Sequence, residues 1–151
     1  MARLVERSGL SLLRRSALDF PADTATPAAG ESPQVLLGDS MGEMLAYLAA
    51  SDLAYVGGSF VPVGGHNILE PAALGKPVLF GPQMHNFLPA RELLLGCEAA
   101  QELAEPSALA EALLSLLANP ARRQAMGAAG AAAVAANRGA LQRLLALVAA
   151  A

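Results

Sequence analysis

One cysteine, one lysine and no tryptophan occur in the 151 residues, and charged side chains make up only 15% of them. The lone Cys97 excludes an internal disulfide framework and a cysteine-based zinc site, so the fold must stand on its core, which suits a reducing compartment. A basic excess is lacking too. With 10 Lys+Arg against 13 Asp+Glu, the net charge of -3 argues against a general nucleic-acid binder. No long hydrophobic run is present. The mean hydropathy of +0.43 owes much to 34 alanines. The longest weakly apolar stretch, Ala125–Ala136, has 12 residues and two glycines, where a membrane span needs about 20 strongly apolar ones. The opening Met1–Arg7 lacks the apolar run of a signal peptide, and no secretion is expected. At 54% apolar residues the chain is unlike an intrinsically disordered one, and its length suits one domain.

What is present alternates between strand and helix signals. A helix is expected over 2–8, with Gly9 where a C-terminal cap belongs, and a short strand over 10–16. Residues 17–33, with Pro21, Pro27, Gly30 and Pro33, read as a loop. Strands follow at Gln34–Leu37, Leu53–Val56 and Pro77–Phe80, with a further short one at 97–101. Between them, helices are expected at Met41–Ser51, Asn67–Leu74 and Pro89–Leu95. Short apolar strands separated by helices imply βαβ units, a parallel sheet and an α/β Rossmann-like fold. Beyond lies a helical tail: Pro106–Leu117, with Leu109, Leu113 and Leu116 on one face, then Ala121–Asn137, then a helix from Gly139 to near Ala149. The expected division is a partial Rossmann-like domain over 1–118, with Ala-rich helices over 119–151 packing on it. A doubly wound sheet has about six strands and only five can be placed, with no strand before the first helix. The domain therefore reads as incomplete at its N-terminus.

The densest chemical signal is the stretch from Gly57-Gly58-Ser59-Phe60 through Gly64-Gly65-His66-Asn67-Ile68-Leu69-Glu70-Pro71. It follows a strand and opens a helix. Glycines let a backbone approach a ligand, and free N–H groups at a helix start attract phosphate or carboxylate. The carboxyl end of a strand is where open α/β sheets bind ligands. Neither a Walker loop nor a dinucleotide fingerprint is formed, so an anion or nucleotide site and a plain βα turn both remain open. Glu70 has two readings. It is the third residue of a capping box begun by Asn67, or a carboxylate that accepts both hydroxyls of a ribose. Ser40-Met41-Gly42-Glu43 likewise reads as a capping box, although Gly42 weakens a first turn and would let a flat ring pack on backbone. His66 suits a hydrogen-bond or anion role better than metal, since no carboxylate or Cys lies at ligand spacing. His85, in Gly81-Pro82-Gln83-Met84-His85-Asn86-Phe87, follows a strand and could face the same cleft. Lys76 suggests a solvated turn and Cys97 buried filler. Arg122, Arg123, Arg138 and Arg143, with no acid beyond Pro120, mark a solvated helix face or a contact with an anionic surface. No nucleophile–base pair and no glycosidase-type carboxylate pair stands out.

Taken in order, Leu37-Gly38-Asp39-Ser40-Met41-Gly42-Glu43-Met44, Gly57-Gly58-Ser59-Phe60, Gly64-Gly65-His66-Asn67-Ile68-Leu69-Glu70-Pro71 and Gly81-Pro82 with Asn86-Phe87 resemble the C-terminal half of 3-deoxy-D-manno-octulosonic acid (Kdo) transferases. The resemblance implies a GT-B glycosyltransferase, with two Rossmann-like domains and no metal or other cofactor. It implies CMP-Kdo as donor and a lipid A precursor as acceptor, in lipopolysaccharide synthesis at the cytoplasmic face of the inner membrane, with peripheral membrane contact. It assigns Glu70 to the ribose, and Gly58, Ser59, Gly65, His66 and Asn67 to the phosphate and the Kdo carboxylate. Met41 and Gly42 would lie near the cytosine and Asn86 toward the sugar. The N-terminal GT-B domain, with the acceptor site and the catalytic acid, would be missing, so no catalytic residue is expected here and the chain alone would be inactive. A non-catalytic nucleotide-binding fragment, or another GT-B enzyme using a UDP-sugar, is the alternative.

Overall fold

Gly9, in the left-handed conformation at φ +73°, stops the first helix where a cap was expected. In the computed structural model, which describes residues 2–18 and 33–137, that helix is α1 (Ala2–Arg7). The expected third tail helix, Arg138 and Arg143, and most of the expected 17–33 loop lie outside the described residues. The chain divides after Tyr47 into two units, each described by itself.

In the first unit, β1 (Leu12–Arg14) pairs in parallel with β2 (Val35–Leu37), placing Leu13 opposite Leu36. The strand expected over 10–16 is shorter because Arg15–Ala17 curls into a 3-10 turn. Asp39 holds that turn: its carboxylate accepts from the Ser16 N–H and the Ser16 hydroxyl, each at 2.8 Å, and from Arg14 at 3.5 Å. Those donors, the Ser16 amide foremost, hold the Asp39 carboxyl below the usual carboxylate range.

Helix α2 (Met44–Ala50) starts later than the expected Met41. Gly42 sits at φ +82°, which no right-handed helical turn accommodates. The Glu43 carbonyl instead accepts the first helical bond, from Ala46 N–H at 3.0 Å. The expected Ser40–Glu43 capping box is thus replaced by a side-chain cluster. The hydroxyls of Ser40 and Tyr47 and the Arg15 guanidinium, the last at 2.6 Å, converge on the Glu43 carboxylate. The Ser40 hydroxyl, then Arg15, lowers the pKa of Glu43.

In the second unit, β3 (Ala54–Val56), β4 (Val78–Phe80) and β5 (Ala100–Glu102) form a parallel sheet in the order β3-β4-β5. All of β4 is buried, as a central parallel strand should be. Pleating sends Val78 and Phe80 into a cluster with Ile68, Ala72, Met84 and Leu94, and Leu79 into another with Leu103, Ala112, Leu116 and Met126. Helices α3 (Leu69–Ala73), α4 (Leu88–Gly96), α5 (Leu109–Leu117) and α6 (Pro120–Ala136) supply the cover. Leu109 and Leu113 pack beside buried Leu116, the face their spacing predicted.

The five expected strands therefore exist, but among the described residues they form two sheets rather than one. Among the described residues no strand pairs with the second edge of β3.

Three further expectations are corrected. Lys76 is no free surface charge: its ammonium donates to the Ala49 and Ser51 carbonyls at 2.9 and 2.6 Å, satisfying the end of α2. Arg123 is not part of a solvated face. It donates to the Leu116 and Leu117 carbonyls at 2.8 and 2.5 Å and pairs with Asp52 at 3.6 Å, closing the end of α5. Cys97 is half-buried rather than buried.

Candidate functional site

The loops that follow β3 and β4 are knitted into one elbow at the carboxyl edge of the sheet. Ser59 is the clasp. Its hydroxyl donates to the Val56 carbonyl at 2.6 Å and accepts the Gly81 N–H at 2.8 Å, and the residue is 0% exposed. The Gln83 N–H bonds the Ser59 carbonyl at 2.8 Å. A Cβ on Gly81 would meet the Phe60 ring at 2.5 Å, so glycine there permits the two strand ends to approach. The Ser59 hydroxyl, fully buried with its donor and one acceptor position engaged, holds the scaffold.

Gly64 and Gly65 run through the elbow's interior, buried and left-handed at φ +92° and +73°. The Gly64 carbonyl accepts the Asn86 N–H at 3.4 Å, and the Asn86 side-chain amide donates to the Val63 carbonyl at 3.0 Å. The Gly65 N–H bonds the Gly58 carbonyl at 3.2 Å. A Cβ on Gly58 would touch the His66 ring at 3.4 Å, so the imidazole lies against that glycine.

His66, Asn67 and Glu70 are exposed around this core. The Asn67 side-chain oxygen Oδ1 accepts the Leu69 N–H at 2.9 Å, and its Nδ2 donates to Glu70 Oε1 at 3.0 Å. This is not the reciprocal capping box, which would place the Glu70 carboxylate on a backbone N–H. Glu70 is instead oriented by Asn67 and keeps Oε2 without a hydrogen bond among the described residues. Helix α3 spans only Leu69–Ala73 and its first donor is already taken. The polar groups that face solvent here are side chains. These are His66, His85 and the Asn86 amide as donors, with the Glu70 carboxylate as acceptor.

The structure thus gathers Gly58, Gly65, His66, Asn67, Glu70 and Asn86 in one elbow. Met41 and Gly42 belong to the first unit, where Met41 is 96% exposed and nothing lies within 4 Å of a Cβ on Gly42. Sequence reasoning missed the Ser59 clasp, whose only signal was a hydroxyl directly after a strand. Among the described residues no group of three or more His, Cys, Asp or Glu is gathered as a metal cluster, and no helix is long and apolar enough to cross a membrane. A groove of about 400 Å³ lies elsewhere, between β5 and α6, and shares no residue with the elbow. The elbow offers donors for an anionic group and an acceptor for hydroxyls; it assembles no nucleophile with a base.

Parallel strands crossed by helices, with polar side chains at their carboxyl ends, define a Rossmann-like α/β domain. The C-terminal CMP-Kdo-binding domain of WaaA from Acinetobacter baumannii superposes with a TM-score of 0.74 at 30% identity, over 88% of this chain and 65% of that one. The chain is a homologue of Kdo transferases, as its motifs led one to expect. It is 42% identical to the 3-deoxy-D-manno-octulosonic acid transferase of Bordetella pertussis over 95% of its own length. It is 39% identical to that of Haemophilus influenzae over 98%. It spans about a third of these relatives, 32% and 33% of their respective lengths. No protein-family model matches it.

Proposed function

We propose that this chain is the donor-binding part of a Kdo transferase, holding CMP-Kdo while Kdo passes to a lipid A precursor in lipopolysaccharide synthesis. The observation that carries the reading is the elbow, where an exposed, Asn67-oriented Glu70 stands beside His66 and Asn86 in a chain homologous to such enzymes. Glu70 accepts the ribose hydroxyls through its unpaired oxygen, the only acidic partner in the elbow. Gly58 and Gly65 let the phosphate and the Kdo carboxylate come close to the backbone, and His66 and Asn67 donate to them. Asn86 faces the sugar. In transfer, an acceptor hydroxyl attacks the anomeric carbon of Kdo while the bond to the CMP phosphate breaks. Donors at the phosphate stabilise the charge that develops on the leaving group.

The catalytic acid is not placed in these residues. On this reading it belongs to an N-terminal GT-B domain, along with the acceptor site and the contact with the inner membrane's cytoplasmic face. The partition into a nucleotide-sugar-binding part over 1–118 and packed helices over 119–151 belongs to the same reading.

Calorimetric titration with CMP and UDP tests it. CMP is expected to bind more tightly, and Glu70→Ala to weaken CMP about tenfold, the worth of one charged hydrogen bond. Equal or tighter binding of UDP would point to another sugar-nucleotide enzyme and reject the Kdo assignment. An assay of Kdo transfer by the chain alone is expected to show no turnover.

A further inference from the structure

His85 has no part in the donor binding proposed above. It sits in the short 3-10 turn His85–Phe87 that leads from β4 into α4, and it is exposed. Its Nε2 lies 2.7 Å from the position that a Cβ on Gly64 would take, with the Asn86 amide crowding the same spot. Gly64 is buried at φ +92°, so both its missing side chain and its backbone conformation serve this approach. On the neighbouring loop the His66 ring rests on Gly58 in the same manner, and Gly58 is tied to Gly65 by a backbone bond of 3.2 Å. The only two histidines of the chain thus each rest on a glycine of the same elbow.

The geometry points to His85 as a further ligand-contacting residue, whose imidazole donates to the anionic group of the nucleotide. The inference rests on the donor-binding reading and deepens it: the β4 loop, and not only the β3 loop, reads the phosphate. A ring with two nitrogens that stands exposed over buried backbone offers one N–H outward. An anion receives that donor well, whereas a neutral nucleoside has no charge there to accept it.

The test compares CMP with cytidine, which differ only in the phosphate, on the same 151-residue chain. Calorimetry of the wild type and His85→Ala is expected to show CMP affinity reduced at least tenfold and cytidine affinity unchanged within twofold. His85→Gln, which restores a donor near the same place, is expected to recover part of the loss. In the wild type, the imidazole C–H resonances of His85 are expected to shift on adding CMP and to stay still on adding cytidine. A circular dichroism spectrum and melting curve identical to wild type exclude unfolding of the variant. If CMP affinity is unchanged in His85→Ala, if both ligands weaken equally, or if the His85 resonances do not respond to CMP, the inference is overturned while the donor-binding reading stands. If the wild type itself does not prefer CMP over UDP, the reading falls and the inference with it.

Discussion

Replacing Ser59 with Ala removes a donor and an acceptor from a site with no access to water. The Gly81 N–H and the Val56 carbonyl would then each lose a partner in the interior. Leaving such groups unpaired costs about 1–3 kcal/mol, so Ser59→Ala should lower the urea midpoint and weaken ligand binding only as a consequence. Glu70→Gln should do the opposite. The side chain is exposed and touches only Asn67, so its melting temperature should stay within a degree or two of wild type while CMP affinity falls. A large loss of stability in Glu70→Gln would mean the carboxylate is structural after all. Both residues stood out in the sequence, but local pattern did not separate a buried hydroxyl from an exposed carboxylate. A hydroxyl after a strand and an acid after a glycine run are equally polar on paper. Only the burial of one and the exposure of the other separates them, and burial depends on what β4 brings alongside β3.

Among the elements, α6 shows how a low-complexity stretch can be specific. Its alanines and glycines read as simple helix formers. In the structure a Cβ on Gly127 would collide with the Gly75 carbonyl, and one on Gly130 would lie 3.3 Å from Ala72 and 3.2 Å from Ala99. The small residues let the helix close onto α3 and the end of α4. Gly→Ala in a helix ordinarily stabilises by about 1 kcal/mol. For Gly127→Ala the collision is with backbone, which cannot rotate away, and overpacking costs about 1–3 kcal/mol. The net sign is expected to be destabilising, measured by chemical denaturation; a more stable variant would show that α6 can slide without cost. The start of α6 was legible, since Asn119 ahead of Pro120 caps the Arg122 N–H at 3.0 Å. The start of α2 was not. Ser40 and Glu43 have capping-box spacing, but the left-handed Gly42 between them breaks the turn that spacing requires.

At the scale of the whole molecule, acid should act unevenly. Asp39 and Glu43 both have folded-state pKa values below their ordinary ones, Asp39 chiefly through the Ser16 amide and Glu43 chiefly through the Ser40 hydroxyl. A depressed carboxylate pKa contributes stability that is complete above the unfolded value, about 4, and is lost as pH falls through the folded value. Amide hydrogen exchange should therefore show protection at Leu13, Leu36 and Leu37 declining below pH ~4, ahead of protection at Val78 and Phe80, whose strand carries no such group. Simultaneous loss in both sheets would contradict this. By itself, the sequence determined the order of strands and helices, the helix stop at Gly9, the buried character of β4 and the glycine-rich elbow. Those signals are carried by residue type and by neighbours a few positions away. Tertiary structure alone decided that, among the described residues, the five strands form two sheets, that Lys76 and Arg123 close helix ends, and that His85 meets Gly64. Each of those outcomes depends on a partner distant along the chain, which local periodicity and spacing cannot name.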